Sequence, residues 1–101
     1  MYIGHSIVRV PKEKVEEVIG LYQNRSRSVD QAAGFHSFHL LQSETDEEEL
    51  TVQMMWERKE DYIAWVQSSD FKRIHDLEKK YPDQELAAIK PTVLRYRVVA
   101  D

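Results

Sequence analysis

Apolar residues in this chain recur at two different periods, and the order in which those periods alternate restricts the fold more than any other feature. Residues 2–10 carry Ile3, Ile7, Val8 and Val10 in a β-rich run. Pro11 stops it, because proline has no N–H to give to a strand ladder. From Lys12 the spacing turns helical: Val15, Val18, Ile19, Tyr22, Val29 and Ala33 lie near one face, which predicts a helix that closes on Gly34 as a left-handed C′ residue. Phe35 to Ser43 reads as a second strand. Leu50 to Trp56 reads as a third, with Leu50, Val52, Met54 and Trp56 on one face and Thr51, Gln53 and Met55 on the other. The acidic run from Glu44 to Glu49 between them is expected to be a solvated hairpin connection, since like charges repel and resist unpaired burial. It lacks the central glycine and alternating oxygen ligands of a calcium loop.

Helical spacing returns over residues 58–67 with Tyr62, Trp65 and Val66, and Ser68-Ser69-Asp70 supplies an N-cap for another helix to about Lys80. Its stripe is Phe71, Ile74, Leu77 and Tyr81. Pro82 ends that helix, an irregular segment follows to Pro91, and Thr92 to Ala100 alternates Leu94, Tyr96 and Val98 against Val93, Arg95, Arg97 and Val99 as a last strand. The resulting β-α-β-β-α-β order, with its second helical region broken in two, is the ferredoxin-like α+β plan, and residues 1–101 suffice for one such domain. Helices on one face of the sheet are expected to leave Ile3, Ile7, Phe38, Leu40, Met55, Val93 and Val99 without full cover. An open apolar face of that size predicts a homodimer whose two sheets face each other.

Composition removes several function classes. Hydrophobic residues at 42% and charged residues at 32% describe a folded chain. With no cysteine, disulfide frameworks, thiolate nucleophiles, zinc knuckles, iron–sulfur clusters and thiolate-ligated haem are excluded together. Eighteen acidic against 14 basic residues give a formal charge of −4, so nucleic acid is not an expected partner. Neither a membrane span nor a leader is visible at the start of the chain, and the expected location is the cytoplasm. There is no Gly-rich phosphate loop, serine elbow or paired-acid arrangement.

Histidine is then the principal nitrogen ligand to consider. His36 and His39, three apart on a strand, are expected to point to opposite faces, and His5 reads as a partly buried polar residue of the dimer face. His75 lies at the margin of the Phe71–Ile74 stripe, where an imidazole can enter a pocket while its N–H finds a backbone carbonyl. A lone helical histidine is nevertheless more often structural than a ligand. Trp65, ten residues earlier, can roof a flat aromatic ligand or simply fill the core. Asp61, Asp70 and Asp76 fall at helix starts or on a polar face, where capping and solvation account for them. Arg25 and Arg27 can meet an anionic group such as a propionate, or lie solvated on a helix surface.

The run Met55-Trp56-Glu57-Arg58-Lys59-Glu60-Asp61-Tyr62-Ile63-Ala64-Trp65, followed by Ser68-Ser69-Asp70-Phe71-Lys72-Arg73-Ile74-His75, resembles the W-x8-W-x9-H segment of the IsdG-type haem-degrading monooxygenases. That family is a branch of the antibiotic-biosynthesis-monooxygenase group of dimeric α+β barrels. The segment Asn24 to Phe35 resembles the family's helix end and Gly-Phe strand entry, so the similarity spans most of residues 1–100. The resemblance implies that haem is both substrate and prosthetic group, with His75 as proximal ligand of the haem iron and Trp65 pressing the porphyrin out of plane. It also implies a distal hydrogen-bond donor on the first strand, where Ser6 stands in place of the family's Asn with a shorter reach. Tyr22 matches an aromatic beside the pocket, and Arg25 is positioned for a propionate. The implied activity opens the porphyrin ring with O2 and releases iron, with electrons from an external donor, a reductase or a small reductant. Two other readings remain: a cofactor-independent monooxygenase of aromatic or quinol substrates in the same barrel group, and a non-catalytic haem carrier.

Overall fold

Strand faces in this protein are set by the two-residue alternation, and the register shows where each face points. The computed structural model describes residues 1–101. The elements are β1 (Tyr2–Arg9), α1 (Val15–Gln23), β2 (Phe35–Gln42), β3 (Glu49–Trp56), α2 (Lys59–Val66), α3 (Ser69–Lys79), α4 (Gln84–Ala87) and β4 (Thr92–Arg97). The strands form one antiparallel sheet in the order β2-β3-β1-β4, and the fold is the ferredoxin-like α+β arrangement.

Across β1 and β3, Tyr2 faces Trp56, Gly4 faces Met54, Ser6 faces Val52 and Val8 faces Leu50. These eight residues share the face that the helices cover. Two apolar clusters form there. One gathers Tyr2, Val29, Trp56, Tyr62 and Trp65, with Phe38, Met54, Phe71 and Ile74 packed against it. The other gathers Val10, Val15, Val18 and Leu50, with Ile19, Tyr22 and Leu40 alongside. Trp56 and Leu50 are completely buried, and truncating a tryptophan in such a place costs about 3–5 kcal/mol.

The first helix is shorter than its spacing predicts. It stops at Gln23, and the side chain of Asn24 donates to the Gly20 carbonyl at 2.9 Å. Arg27 then takes φ 61°, and residues Ser28–Gln31 form a separate 3-10 turn. A non-glycine residue in the left-handed region cannot continue an α-helix, so Val29 enters the core from that turn instead of from α1. Gly34 does take the expected positive φ, 77°, but it serves the turn into β2, where its carbonyl accepts from Glu57 N–H at 2.7 Å. The acidic connection is also less free than expected. Arg9 bonds Asp46 at 2.6 Å and Glu48 at 3.3 Å, and Lys12 lies 3.3 Å from Glu47.

The second helical region breaks where expected, at Ser68, whose hydroxyl oxygen accepts from Phe71 N–H at 3.1 Å. The segment read as irregular contains α4, capped by Asp83, and β4 ends at Arg97, short of Ala100.

The second sheet face carries Ile3, His5 and Ile7 of β1, Gln53 and Met55 of β3, Leu41 of β2, and Leu94 and Tyr96 of β4, as the register dictates. No helix covers it, and Leu41, Leu94 and Tyr96 remain 41%, 39% and 47% exposed. Phe38, Leu40 and Val93 are not on this face as expected. A bulge between Phe35 and Ser37 shifts the alternation in β2 and turns Phe38 and Leu40 toward the helices, and Val93 pairs with Ser6 on the helix side. No helix is long and apolar enough to cross a membrane.

Candidate functional site

Between the two clusters runs a cross-strand row, Leu40–Val52–Ser6–Val93, in which Val52 and Ser6 belong to neither cluster. On the helix-covered side, α1 packs on the second cluster and α3 on the first. Just past the end of α3, Tyr81 Oη donates to Glu17 of α1 at 2.5 Å. Tyr22 of α1 feels the charge of Glu78 on α3, and burial, helped by that charge, pushes its phenol up to about 12.

Trp65 is 7% exposed in the first cluster, so it fills the core, and it also lines a smaller cleft with Ala64, Ser68 and Asp70. The Phe71 ring meets Trp65 edge-on at 6.1 Å and His75 at 4.1 Å. His75 thereby shares an aromatic run with Trp65. The carbonyl partner expected for its N–H is absent: the charged neighbours pair among themselves, Lys72 with Asp76 at 2.9 Å and Arg73 with Asp70 at 3.2 Å, and neither ring nitrogen is hydrogen-bonded within the chain.

Arg25 leaves the helix surface, because α1 has already ended. Its guanidinium stacks 3.9 Å from the centroid of Phe38 and meets the Asp30 carboxylate at 2.9 and 3.4 Å. The side chain is only 16% exposed. Tyr22, Arg25 and Arg27 line a cleft of about 430 Å³ between α1 and β2, with Ile19, Phe38 and Leu40 as its apolar wall. This cleft includes Tyr22 and Arg25 but not Ser6, Trp65 or His75. The five sequence-derived residues thus fall into three groups: Tyr22 with Arg25, Trp65 with His75 through Phe71, and Ser6 on the sheet.

The remaining candidates are accounted for by structure. Asp61 is buried, not solvated, and Arg58 binds its carboxylate at 3.1 and 3.3 Å. His5 meets Gln53 at 3.1 Å and the edge of Tyr96. His36 meets Glu57 at 2.6 Å, and His39 lies opposite Gln53 on the uncovered face. No group of three or more His, Asp or Glu side chains could hold a metal ion. The i,i+4 spacing that sets His75 at the margin of the Phe71–Ile74 stripe does bring the two rings together. Sequence reasoning missed Asp30 as the partner of Arg25, which no helical spacing signals.

Chemically, the helix-covered side offers an imidazole with free nitrogens, a hydroxyl on the sheet, aromatic rings and a guanidinium. That combination suits a large flat aromatic molecule carrying an anionic edge and an atom that accepts a nitrogen ligand.

The four-stranded antiparallel sheet with its helices on one face defines a ferredoxin-like α+β protein. The antibiotic biosynthesis monooxygenase family model matches residues 1–77. A heme-degrading monooxygenase of Bacillus mycoides (strain KBAB4) is 34% identical over 85 residues, which span 82% of this chain and 78% of that protein. The chain therefore belongs to the antibiotic biosynthesis monooxygenase family of enzymes. Among solved structures, the heme-degrader MhuD from Mycobacterium tuberculosis, with two hemes bound in its active site, superposes with a TM-score of 0.79 at 23% identity, covering 100% of this chain and 98% of its own. A conserved protein from Methanosarcina mazei Go1 superposes with a TM-score of 0.71 at 21% identity, covering 95% and 90%. At those identities the structures share the fold.

Proposed function

We propose that this protein is a haem-degrading monooxygenase: it binds haem through His75 on the helix-covered side of the sheet and opens the porphyrin ring with O2 and externally supplied electrons, releasing iron. The observation that carries the reading is His75, whose ring nitrogens are free and whose ring stands beside Trp65 through Phe71, in a chain 34% identical to a heme-degrading monooxygenase.

His75 Nε2 supplies the iron ligand, and an unpaired neutral imidazole is the form that ligation needs. Trp65, fixed in the first cluster, presses on one side of the macrocycle. Ser6, on the facing sheet row, offers a hydroxyl that donates toward the distal side, directly or through one water. Tyr22 packs at the macrocycle edge. Arg25, held flat on Phe38, meets a propionate with the guanidinium donors that Asp30 leaves free. Ring opening consumes O2 and electrons from an external reductase or small reductant. The uncovered sheet face suits a homodimer, since a self-complementary two-fold contact buries the same apolar patch on both copies.

A hemin titration followed by ascorbate in air tests the reading, with absorbance followed from the Soret band to the far red. A saturable Soret band that is lost on reduction with iron release is the expected result, and His75→Ala should abolish the band. A complex that persists under reductant and air makes the protein a carrier, which the Ser6 hydroxyl in the distal position would explain. No binding at all transfers the assignment to a cofactor-independent oxygenase of aromatic or quinol substrates.

A further inference from the structure

A histidine that serves as a metal ligand is ordinarily oriented by a hydrogen bond from its second nitrogen. His75 has no such bond. Its contact is the Phe71 ring, one helical turn earlier on the same face of α3, with centroids 4.1 Å apart and planes inclined by 43°. Phe71 is itself held at two points. Its ring lies edge-on to Trp65 at 6.1 Å, and its N–H donates to Ser68 Oγ at 3.1 Å. The Ser68 hydroxyl donates in turn to the Trp65 carbonyl at 2.6 Å. Trp65, Ser68 and Phe71 therefore form a closed bracket across the α2–α3 junction, and its outer face is the surface on which the imidazole rests.

We infer that Phe71, braced by Ser68, is the positioning residue that fixes the His75 ring by aromatic packing in place of a hydrogen bond, and that it sets the distance between the imidazole and Trp65. The inference rests on the haem-ligand reading above and goes beyond it, since it assigns the orientation of the ligand to a residue that is not itself a ligand. Packing restricts the ring's tilt but leaves the second nitrogen free, so the imidazole stays a weaker electron donor than one bonded to a carboxylate.

Ferric hemin binding to Phe71→Leu, Phe71→Tyr and His75→Ala, read as affinity and Soret position, tests this together with the aromatic proton spectrum of the haem-free protein. The haem-free parent should show direct proton contacts between the Phe71 and His75 rings; their absence overturns the inference whatever the variants do. Phe71→Leu keeps apolar volume but loses the ring, and it should weaken hemin binding roughly tenfold, the upper range for one aromatic pair, with a shifted Soret band. Phe71→Tyr should restore both. Phe71→Leu with parental affinity and Soret position, beside a His75→Ala protein that has lost binding, overturns the positioning role alone. Unaltered binding by His75→Ala overturns the ligand reading as well.

Discussion

Gly34 and Asp61 compete for the same space at the entrance to β2. Gly34 has φ 77°, and a Cβ there would overlap the Asp61 carboxylate. Gly34→Ala should therefore destabilise the protein by about 2 kcal/mol or more, part from the left-handed backbone and part from the clash, as measured by urea unfolding. Asp61→Ala in that background should recover only part of the clash, because the Cβ that alanine keeps would still lie 2.7 Å from the added one. Tyr22 gives a pH signature. Burial and Glu78 push its phenol to about 12, so between roughly pH 10 and 12 the unfolded chain loses a proton that the native protein retains. Native stability should fall as pH rises through that window, and Tyr22→Phe should flatten the fall in alkaline unfolding curves. Single residues were unevenly legible. His75 and Trp65 stand out by spacing and resemblance. The burial of Asp61 and the stack of Arg25 on Phe38 did not, because each depends on a partner brought in by a turn whose path has no periodic pattern.

At the scale of elements, end signals decide more than stripe length. Ser68 caps α3 and is readable as a cap, and Ser68→Ala should cost about 1 kcal/mol in thermal or urea unfolding. Asp83 caps α4, accepting from Glu85 and Leu86 N–H, and pairs with Lys14 at 2.9 Å. The Lys14 ammonium, followed by those backbone N–H groups, holds its carboxyl below the usual range. A depressed carboxyl contributes stability above its unfolded value near pH 4, and that contribution disappears as pH falls through the folded value. Asp83→Asn should accordingly be less stable than the parent at pH 7, with the difference closing toward pH 2 in acid unfolding curves. The helix stripe that runs on to Ala33 misleads because helical spacing persists by chance after the backbone has turned at Arg27. Pro82 and Pro91 likewise hide α4, a single turn too short to show a period.

For the whole molecule the uncovered sheet face is the main consequence of the β2-β3-β1-β4 order. If two copies close on it, a charge at its centre cannot be buried without a partner. Leu94→Glu, on the half-exposed part of that face, should convert a dimer to a monomer in sedimentation velocity, while the exposed α3 substitution Lys72→Gln should leave the dimer intact. The order of elements along the chain, the faces of β3, the uncovered side of Ile3 and Ile7 and the break between α2 and α3 were legible from sequence because alternation, proline stops and capping residues act over a few neighbours. The edge-on contact of Trp65 with Phe71 across the α2–α3 junction, the stack of Arg25 on Phe38 and the bulge that turns Phe38 toward the helices emerge only when the sheet closes and the helices dock on it. They depend on the path of turns and on how separate elements pack, and no periodic pattern encodes either.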